Sequence, residues 1–344
     1  EEYHRGNLSI LSAQLLKALQ ENLNCGQQSI LLLNRRGYQT FVSCRDCGHV
    51  MTCPQCSISL TYHAANRRLM CHYCGYSIPF TDECPACHGH HMQYAGTGTQ
   101  KAEQQLAELL PGARILRLDT DATMSRLSYE TKLHQFAQRE YDIIVGTQMV
   151  AKGLDFENVT LVGVLNADQS LYQEDFRSFE QTFDLLTQVV GRAGRGRFTG
   201  RAFIQTQTPE NPVFHLAARQ DYPAFYAEEL PARQMMLYPP FADICVVGFV
   251  GIQEQDVAKA SQRFFEQTTA LARAEYTRLP LRILRPSPAR IARVGGKYRY
   301  KILIKCRNGR AFRQMLDRLL VAFGQDRKNR GVSAFADINP DAVW

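Results

Sequence analysis

No stretch of the 344 residues approaches the ~18 consecutive apolar positions of a membrane-spanning helix, the longest candidate being Ile244 to Ile252. At 45% hydrophobic and 21% charged, the chain has enough apolar material for sizeable cores, which excludes a disordered protein. Glu1-Glu2-Tyr3-His4-Arg5 holds no initiator Met, no basic region followed by an apolar core and no small-residue cleavage site, so the sequence is expected to be a segment of something longer. It also lacks a Gly-x-x-x-x-Gly-Lys-Ser/Thr loop. Gly296-Lys297 is followed by Tyr298, and Gly98-Thr99-Gln100-Lys101 has the wrong spacing to cradle phosphates. Asn166-Ala167-Asp168-Gln169 only superficially resembles a strand-end acidic pair for Mg²⁺ and reads as loop polarity. These absences exclude a self-sufficient nucleotide-hydrolysing site.

Cysteine is scarce outside one segment, where only Cys25, Cys245 and Cys306 occur and are expected to be buried thiols. Eight of the 11 cysteines fall between Cys44 and Cys87 as four Cys-x-x-Cys pairs. Two thiolates at that spacing converge on one tetrahedral metal, so four pairs make two saturated, structural zinc sites. A disulfide framework is the plainer alternative, but no secretory signal accompanies it. Ile58 to His63 and Arg68 to Met70 flank the turn-prone Ala64-Ala65-Asn66, the form of a zinc-ribbon hairpin. Cys53, Cys56, Cys71 and Cys74 should therefore share one ion, and Cys44, Cys47, Cys84 and Cys87 the other. The six histidines of the segment are expected to face solvent or hydrogen-bond, because the thiolates already close both sites.

The formal net charge of +7 hides where the charge sits. From Arg273 to Arg330 there are 17 Lys/Arg and three acids (Glu275, Asp317 and Asp326), a net of +14, which leaves −7 elsewhere. Such concentration suits a phosphate backbone, with a solvated basic face as the alternative. Within it, Arg290, Arg293, Lys297, Arg299 and Lys301 interleave with Tyr298 and Tyr300 around Gly295-Gly296. That is the form of a hairpin whose cations hold phosphates while a ring stacks on a base. An ordinary hairpin with cation-covered edges fits as well.

At ~150 residues per domain the length suggests two domains with room for a third, small module. Residues 7 to 207, apart from the cysteine insertion, alternate helices and strands, which requires a parallel sheet covered on both faces. Residues 208 to 240 are rich in proline and read as a surface connector. Beyond them the order β-α-β-β-α-β fits a ferredoxin-like sandwich. The expected fold class is α/β, with a smaller α+β terminal domain. The domains are 1–37 with 96–207, the insertion 38–95, the connector 208–240 and the basic domain 241–344.

Gln188-Val-Val-Gly-Arg192-Ala-Gly-Arg195 ends an amphipathic helix and presents two guanidiniums three residues apart. Two such forks can bind a triphosphate and stabilise the charge that develops in phosphoryl transfer. About 40 residues earlier, Val145-Gly-Thr147-Gln-Met-Val-Ala-Lys-Gly153-Leu-Asp155 follows a strand. Together these residues resemble the second RecA-like lobe of superfamily 2 helicases. The four knuckles inserted after Leu31-Leu-Leu-Asn-Arg-Arg-Gly37-Tyr38 narrow the resemblance to the primosomal replication-restart helicases, over nearly the whole chain.

That resemblance implies Arg192 and Arg195 as arginine fingers, with Gln188, Gly153 and Asp155 lining the nucleotide side. It implies Arg35, Thr97, Thr99 and Thr147 on the single-strand backbone. It further implies ATP and Mg²⁺ beside the two zinc ions, 3′-to-5′ unwinding of forked DNA, and contacts with single-strand-binding protein and other primosome components. A monomeric, cytoplasmic, nucleoid-associated bacterial protein without membrane contact follows from the same likeness. The family's first motor lobe and amino-terminal DNA-end-binding domain are absent here, so this chain alone should not turn over ATP. Two other functions share some of these features. A fork-remodelling translocase would have both motor motifs but not ordinarily eight cysteines. A zinc-stabilised DNA-binding scaffold would have no use for two aimed guanidiniums.

Overall fold

The computed structural model describes residues 9–33, 41–44, 46–47, 49–56, 58–63, 67–71, 74–95, 99–118, 126–147, 156–171, 175–194 and 198–341. Along the chain, α1 (Ala13–Asn24) and β1 (Gln28–Leu33) precede five short strands: β2 (Phe41–Cys44), β3 (Thr61–His63), β4 (Arg68–Met70), β5 (Ser77–Pro79) and β6 (Met92–Ala95). Next come α2 (Thr99–Leu109), β7 (Ile115–Leu118), α3 (Arg126–Ala137), β8 (Ile143–Gly146), β9 (Val159–Leu165), α4 (Asp168–Leu171), α5 (Ser178–Val190) and β10 (Arg201–Ile204). The last third holds α6 (Pro212–Arg219), α7 (Tyr222–Met236), β11 (Asp243–Gly251), α8 (Glu254–Glu275), β12 (Arg282–Ile283), β13 (Ser287–Val294), β14 (Lys297–Cys306), α9 (Arg310–Gln325) and β15 (Val332–Ile338).

The chain divides into two compact units, Glu1–Tyr38 with Gly96–Glu229, and Gln39–Ala95 with Leu230–Trp344. The cysteine insertion thus clusters with the terminal domain, a grouping that no local sequence pattern announces. In the first unit, five parallel strands run in the order β10-β9-β1-β8-β7. Successive strand residues point to opposite faces, so Ile30 and Leu32 pack with Leu133, Phe136, Phe183 and Leu186 from α3 and α5. Leu31 points the other way, against Leu15, Leu19, Ala102 and Leu106 from α1 and α2. Each such fully buried Leu or Phe contributes about 1.5–3 kcal/mol relative to exposure. The first helix begins at Ala13, where the Ser12 side chain accepts a hydrogen bond from the Leu15 N–H and caps it.

Asp168, read from sequence as loop polarity, is buried and structural. Its carboxylate accepts from the Thr206 Oγ1 (2.7 Å), the Gln207 N–H (2.8 Å) and the Thr208 Oγ1 (2.8 Å), tying the start of α4 to the chain leaving β10. Burial acts to raise its pKa, but these donors outweigh burial and hold it below the usual carboxylate range.

The proline-rich connector of residues 208–240 carries two helices, α6 and α7. Pro212 opens α6, where a missing N–H costs nothing, and Asn211 caps that helix by accepting from the Val213 N–H. Pro223 falls in the first turn of α7, and Pro231 is accommodated inside it. The connector's end is pinned to the terminal domain, since Lys305 Nζ donates to the Met236 carbonyl and sits 3.5 Å from the Tyr238 ring centre.

In the second unit the terminal sheet has the order β12-β14-β11-β15, every neighbouring pair antiparallel, with β13 also paired to β14. That is the ferredoxin-like arrangement, with Phe249, Phe264, Phe312 and Phe323 in the core between the sheet and the helices α8 and α9. The strand expected at Ile283-Leu284 is β12, and beyond Pro286 the chain pairs with β14 again as β13. Cys245 and Cys306 are buried, and burial pushes both thiols up to about 12. Cys25 corrects the expectation of a third buried thiol: it caps the carboxyl end of α1 and is exposed.

Candidate metal centres, motor edge and nucleic-acid face

Pairing of β2 with β6 sets Cys44 opposite Met92 and closes the two ends of the insertion on each other. The first and fourth knuckles consequently meet. Inside, the β3–β4 hairpin pairs Thr61 with Met70 and Tyr62 with Leu69, and brings the second and third knuckles together. The Sγ atoms of Cys44, Cys47, Cys84 and Cys87 lie within 4.8 Å of one another, and so do those of Cys53, Cys56, Cys71 and Cys74. The Sγ atoms stand 3.6 Å apart in Cys44–Cys87, 3.7 Å in Cys47–Cys84 and 3.6 Å in Cys53–Cys74. A tetrahedron with ~2.3 Å Zn–S bonds has sulfur atoms about 3.8 Å apart. Disulfide sulfurs would stand at ~2.05 Å. The donor set therefore fits two zinc ions, and all eight cysteines are unbridged.

Burial pushes the Cys56 thiol up to about 12, and four thiolates at this range repel one another, so they ionise together only around a cation. The inner cluster is the more enclosed. Cys53, Cys56 and Cys71 are buried and Cys74 half-buried, whereas Cys47 and Cys87 of the outer cluster are exposed. His88 pairs with Glu83 (2.8 Å) and His91 with Asp46 (3.0 Å), both at the surface and outside the sulfur clusters. The Asp46–His91 pair was not legible in the sequence, because the two residues are brought together only by closure of the outer knuckles.

Native mass spectrometry should find two zinc ions per chain. One ion, or iron with visible absorbance, would contradict the two-tetrahedra assignment. Cys53→Ser is expected to weaken the inner ion and leave the outer one in place.

The arginine motif stands at the amino edge of the parallel sheet. Ligands of such sheets ordinarily gather at the carboxyl edge, so a ligand at this motif would depart from the general rule. The geometry requires this placement: α5 returns the chain from the carboxyl end of β9 to the amino end of β10. Arg192 follows the helix's last turn, half-buried, and the Gly194 N–H donates to the carbonyl of Val159, the first residue of β9 (3.0 Å). Gly194 has φ +75°, and a Cβ there would meet the Gly200 nitrogen at 2.3 Å, so only glycine permits the crossing. Gln188 is exposed on the last turn of α5. Gly153, Asp155 and Arg195 lie outside the described residues.

The opposite edge holds two residues of the other set. Thr147 directly follows β8 and is buried, and Thr99, also buried, opens α2, whose amino end lies at the carboxyl edge because it precedes the parallel strand β7. Arg35 and Thr97 lie outside the described residues, two positions after β1 and two before Thr99 in sequence.

In the terminal domain, Tyr298 and Tyr300 pack on the core, which turns the alternating Lys297, Arg299 and Lys301 to the other face of β14. Arg290 and Lys297 are exposed. Arg293 is engaged within the protein. Its Nη1 donates to the Pro54 carbonyl (3.2 Å), and its guanidinium lies 5.1 Å from the Tyr298 ring centre. Among the described residues no helix is long and apolar enough to cross a membrane.

Three family models match the chain in turn. Residues 53–79 match the PriA DNA helicase Cys-rich region domain, residues 90–197 the helicase conserved C-terminal domain, and residues 234–341 the primosomal protein N C-terminal domain. The chain is 42% identical over 344 residues to the replication restart protein PriA of Bacillus subtilis, covering 99% of this chain and 42% of that protein. It is 41% identical over 308 residues to the PriA of Synechocystis, covering 88% of this chain and 36% of that protein. The chain therefore spans about two-fifths of the length of the curated relatives it matches.

Proposed function

Because this chain is homologous along its whole length to the PriA replication restart proteins, we propose that it supplies the second motor lobe, zinc module and DNA-gripping domain of an ATP-dependent helicase. The complete protein unwinds forked DNA 3′ to 5′ and prepares stalled forks for primosome assembly, with single-strand-binding protein and other primosome components as its partners. It works as a monomer in the bacterial cytoplasm, at the nucleoid.

The observation that supports this best is the separation of the two residue sets across one sheet. The Gly194–Val159 bond anchors the arginine motif at the amino edge of β9, four residues beyond Asp155 in sequence. From there Arg192, with Arg195, acts on the triphosphate held by the partner lobe, and Gln188, Gly153 and Asp155 contribute to the nucleotide side. ATP with Mg²⁺ supplies the phosphoryl group whose cleavage the guanidiniums stabilise. Thr99 and Thr147, at the carboxyl edge, hold the single-strand backbone together with Arg35 and Thr97. Closing and opening of the lobes then moves one edge against the other. Arg290, Lys297, Tyr298, Arg299 and Lys301 are the proposed grip on the fork in the terminal domain, with Arg293 beside them tied to Pro54 and supporting the Tyr298 ring. The zinc ions are structural.

Two variants of the full-length protein test the separation. Arg192→Ala should slow hydrolysis at saturating DNA by about tenfold or more and leave the DNA dissociation constant unchanged. Thr147→Ala should weaken single-strand binding by up to about tenfold, the worth of one neutral hydrogen bond, and leave DNA-free hydrolysis unchanged. Interchanged effects would remove the assignment of the edges.

A further inference from the structure

The Gly295–Gly296 turn, which joins β13 to β14 in the terminal domain, ends on the inner cysteine cluster. The Gly295 N–H donates to the Cys56 Sγ (3.2 Å), and the Gly296 N–H donates to the Gln55 carbonyl (2.8 Å). Beside them Arg293 donates to the Pro54 carbonyl, so the knuckle Cys53-Pro54-Gln55-Cys56 receives three bonds from one hairpin tip. Ile291 and Val294 pack into the same apolar cluster as Val42, Ile58, Leu60 and Leu69 of the module. Both glycines have positive φ, +56° and +78°, which points two successive N–H groups at the knuckle.

Other ligands take their N–H donors from their own knuckles. Cys47, Cys74 and Cys87 are bonded by the residue two positions on, His49, Tyr76 and Gly89, and Cys53 and Cys84 by Gln55 and Ala86. Cys56 takes its donor from a segment 239 positions away in sequence. Such N–H groups orient a metal-bound thiolate and offset its charge, and groups in this outer position commonly alter metal affinity about 10- to 100-fold.

We propose that the hairpin tip is a built part of the inner zinc centre, with Gly295 as a positioning residue for the Cys56 thiolate. Zinc at Cys53, Cys56, Cys71 and Cys74 then clasps the terminal domain to the cysteine module, and loss of that ion releases the hairpin. The outer ion has no such link among the described residues, so the two zinc ions do different things. One closes the module's base, and the other couples it to the DNA-gripping domain.

The test uses the whole chain after its two-zinc content has been measured; absence of the inner ion would already overturn the proposal. Release to excess chelator is followed with a colorimetric zinc reporter in the unaltered chain and in Val294→Asp, which undocks the tip without touching a ligand. One ion is expected to leave about tenfold faster or more, the other at its original rate. Unchanged release of both, or equal acceleration of both, overturns the coupling. Should the variant fail to fold, the unaltered protein answers instead by hydrogen exchange during graded chelation. Residues 287–301 should lose protection together with residues 53–74, while the β11–β15 pairing stays protected. A hairpin that remains protected after residues 53–74 have opened is the contrary result.

Discussion

Arg195→Ala in the full-length protein is expected to reduce DNA-stimulated ATP hydrolysis by about 10³-fold or more, because a guanidinium acting on transition-state charge contributes on that scale. Its effect on DNA affinity should be negligible, since its motif is anchored at the amino edge of the sheet, away from the edge that holds Thr99 and Thr147. Steady-state phosphate release at saturating single-stranded DNA, paired with a fluorescence binding titration, separates the two. Arg195→Lys should rescue little of the loss, as an ammonium cannot reproduce the planar fork. Retained turnover in Arg195→Ala would move the finger role to Arg192 or to neither.

Salt should have a comparable effect on DNA binding. The net +14 between Arg273 and Arg330 sits on a folded domain, and each neutralised phosphate releases condensed counterions. If about six phosphates are held, raising salt from ~50 to ~200 mM should weaken duplex binding by about 10³-fold. Replacing Arg290, Lys297 and Arg299 together by Ala should flatten the log–log slope by roughly one unit per lost contact. Arg293→Ala is expected to change the slope least, because its guanidinium is engaged by Pro54 and Tyr298. A slope near zero in the unaltered chain would make the basic face a docking surface for an acidic protein segment.

Much of this architecture follows from local pattern. The knuckle spacing brings Cys53 to Cys74 because a turn-prone Ala-Ala-Asn separates two short strand-like runs, and β3 and β4 pair across it. The apolar run at Ile30 to Leu33 marks a central parallel strand because both of its faces must be covered. The ferredoxin-like order was likewise legible, since the period of apolar residues changes from two to 3.6 and back along residues 244–338.

What the sequence concealed depends on distant partners. Prolines at 212, 223 and 231 marked a connector without announcing its helices, yet the first two stand in first turns, where they lack no needed hydrogen bond, and the third lies exposed inside α7. Asp168 gave no signal, because the threonines that satisfy it lie nearly 40 positions away. The Gly295–Gly296 turn was legible as a turn, but its target on the cysteine module was not. Arg293 looked like any other cation of the basic hairpin until its carbonyl partner was known.

Strand displacement by the full-length protein on two partial duplexes, one with a 3′ single-stranded tail and one with a 5′ tail, is the most direct trial of the proposed motor. ATP-dependent unwinding of the 3′-tailed substrate, enhanced when the duplex is part of a fork and abolished by Arg195→Ala, is the predicted result. Unwinding confined to the 5′-tailed substrate would contradict the polarity. Tight fork binding with no ATP-dependent displacement of either strand would contradict the helicase itself and leave a zinc-stabilised DNA-binding scaffold in its place.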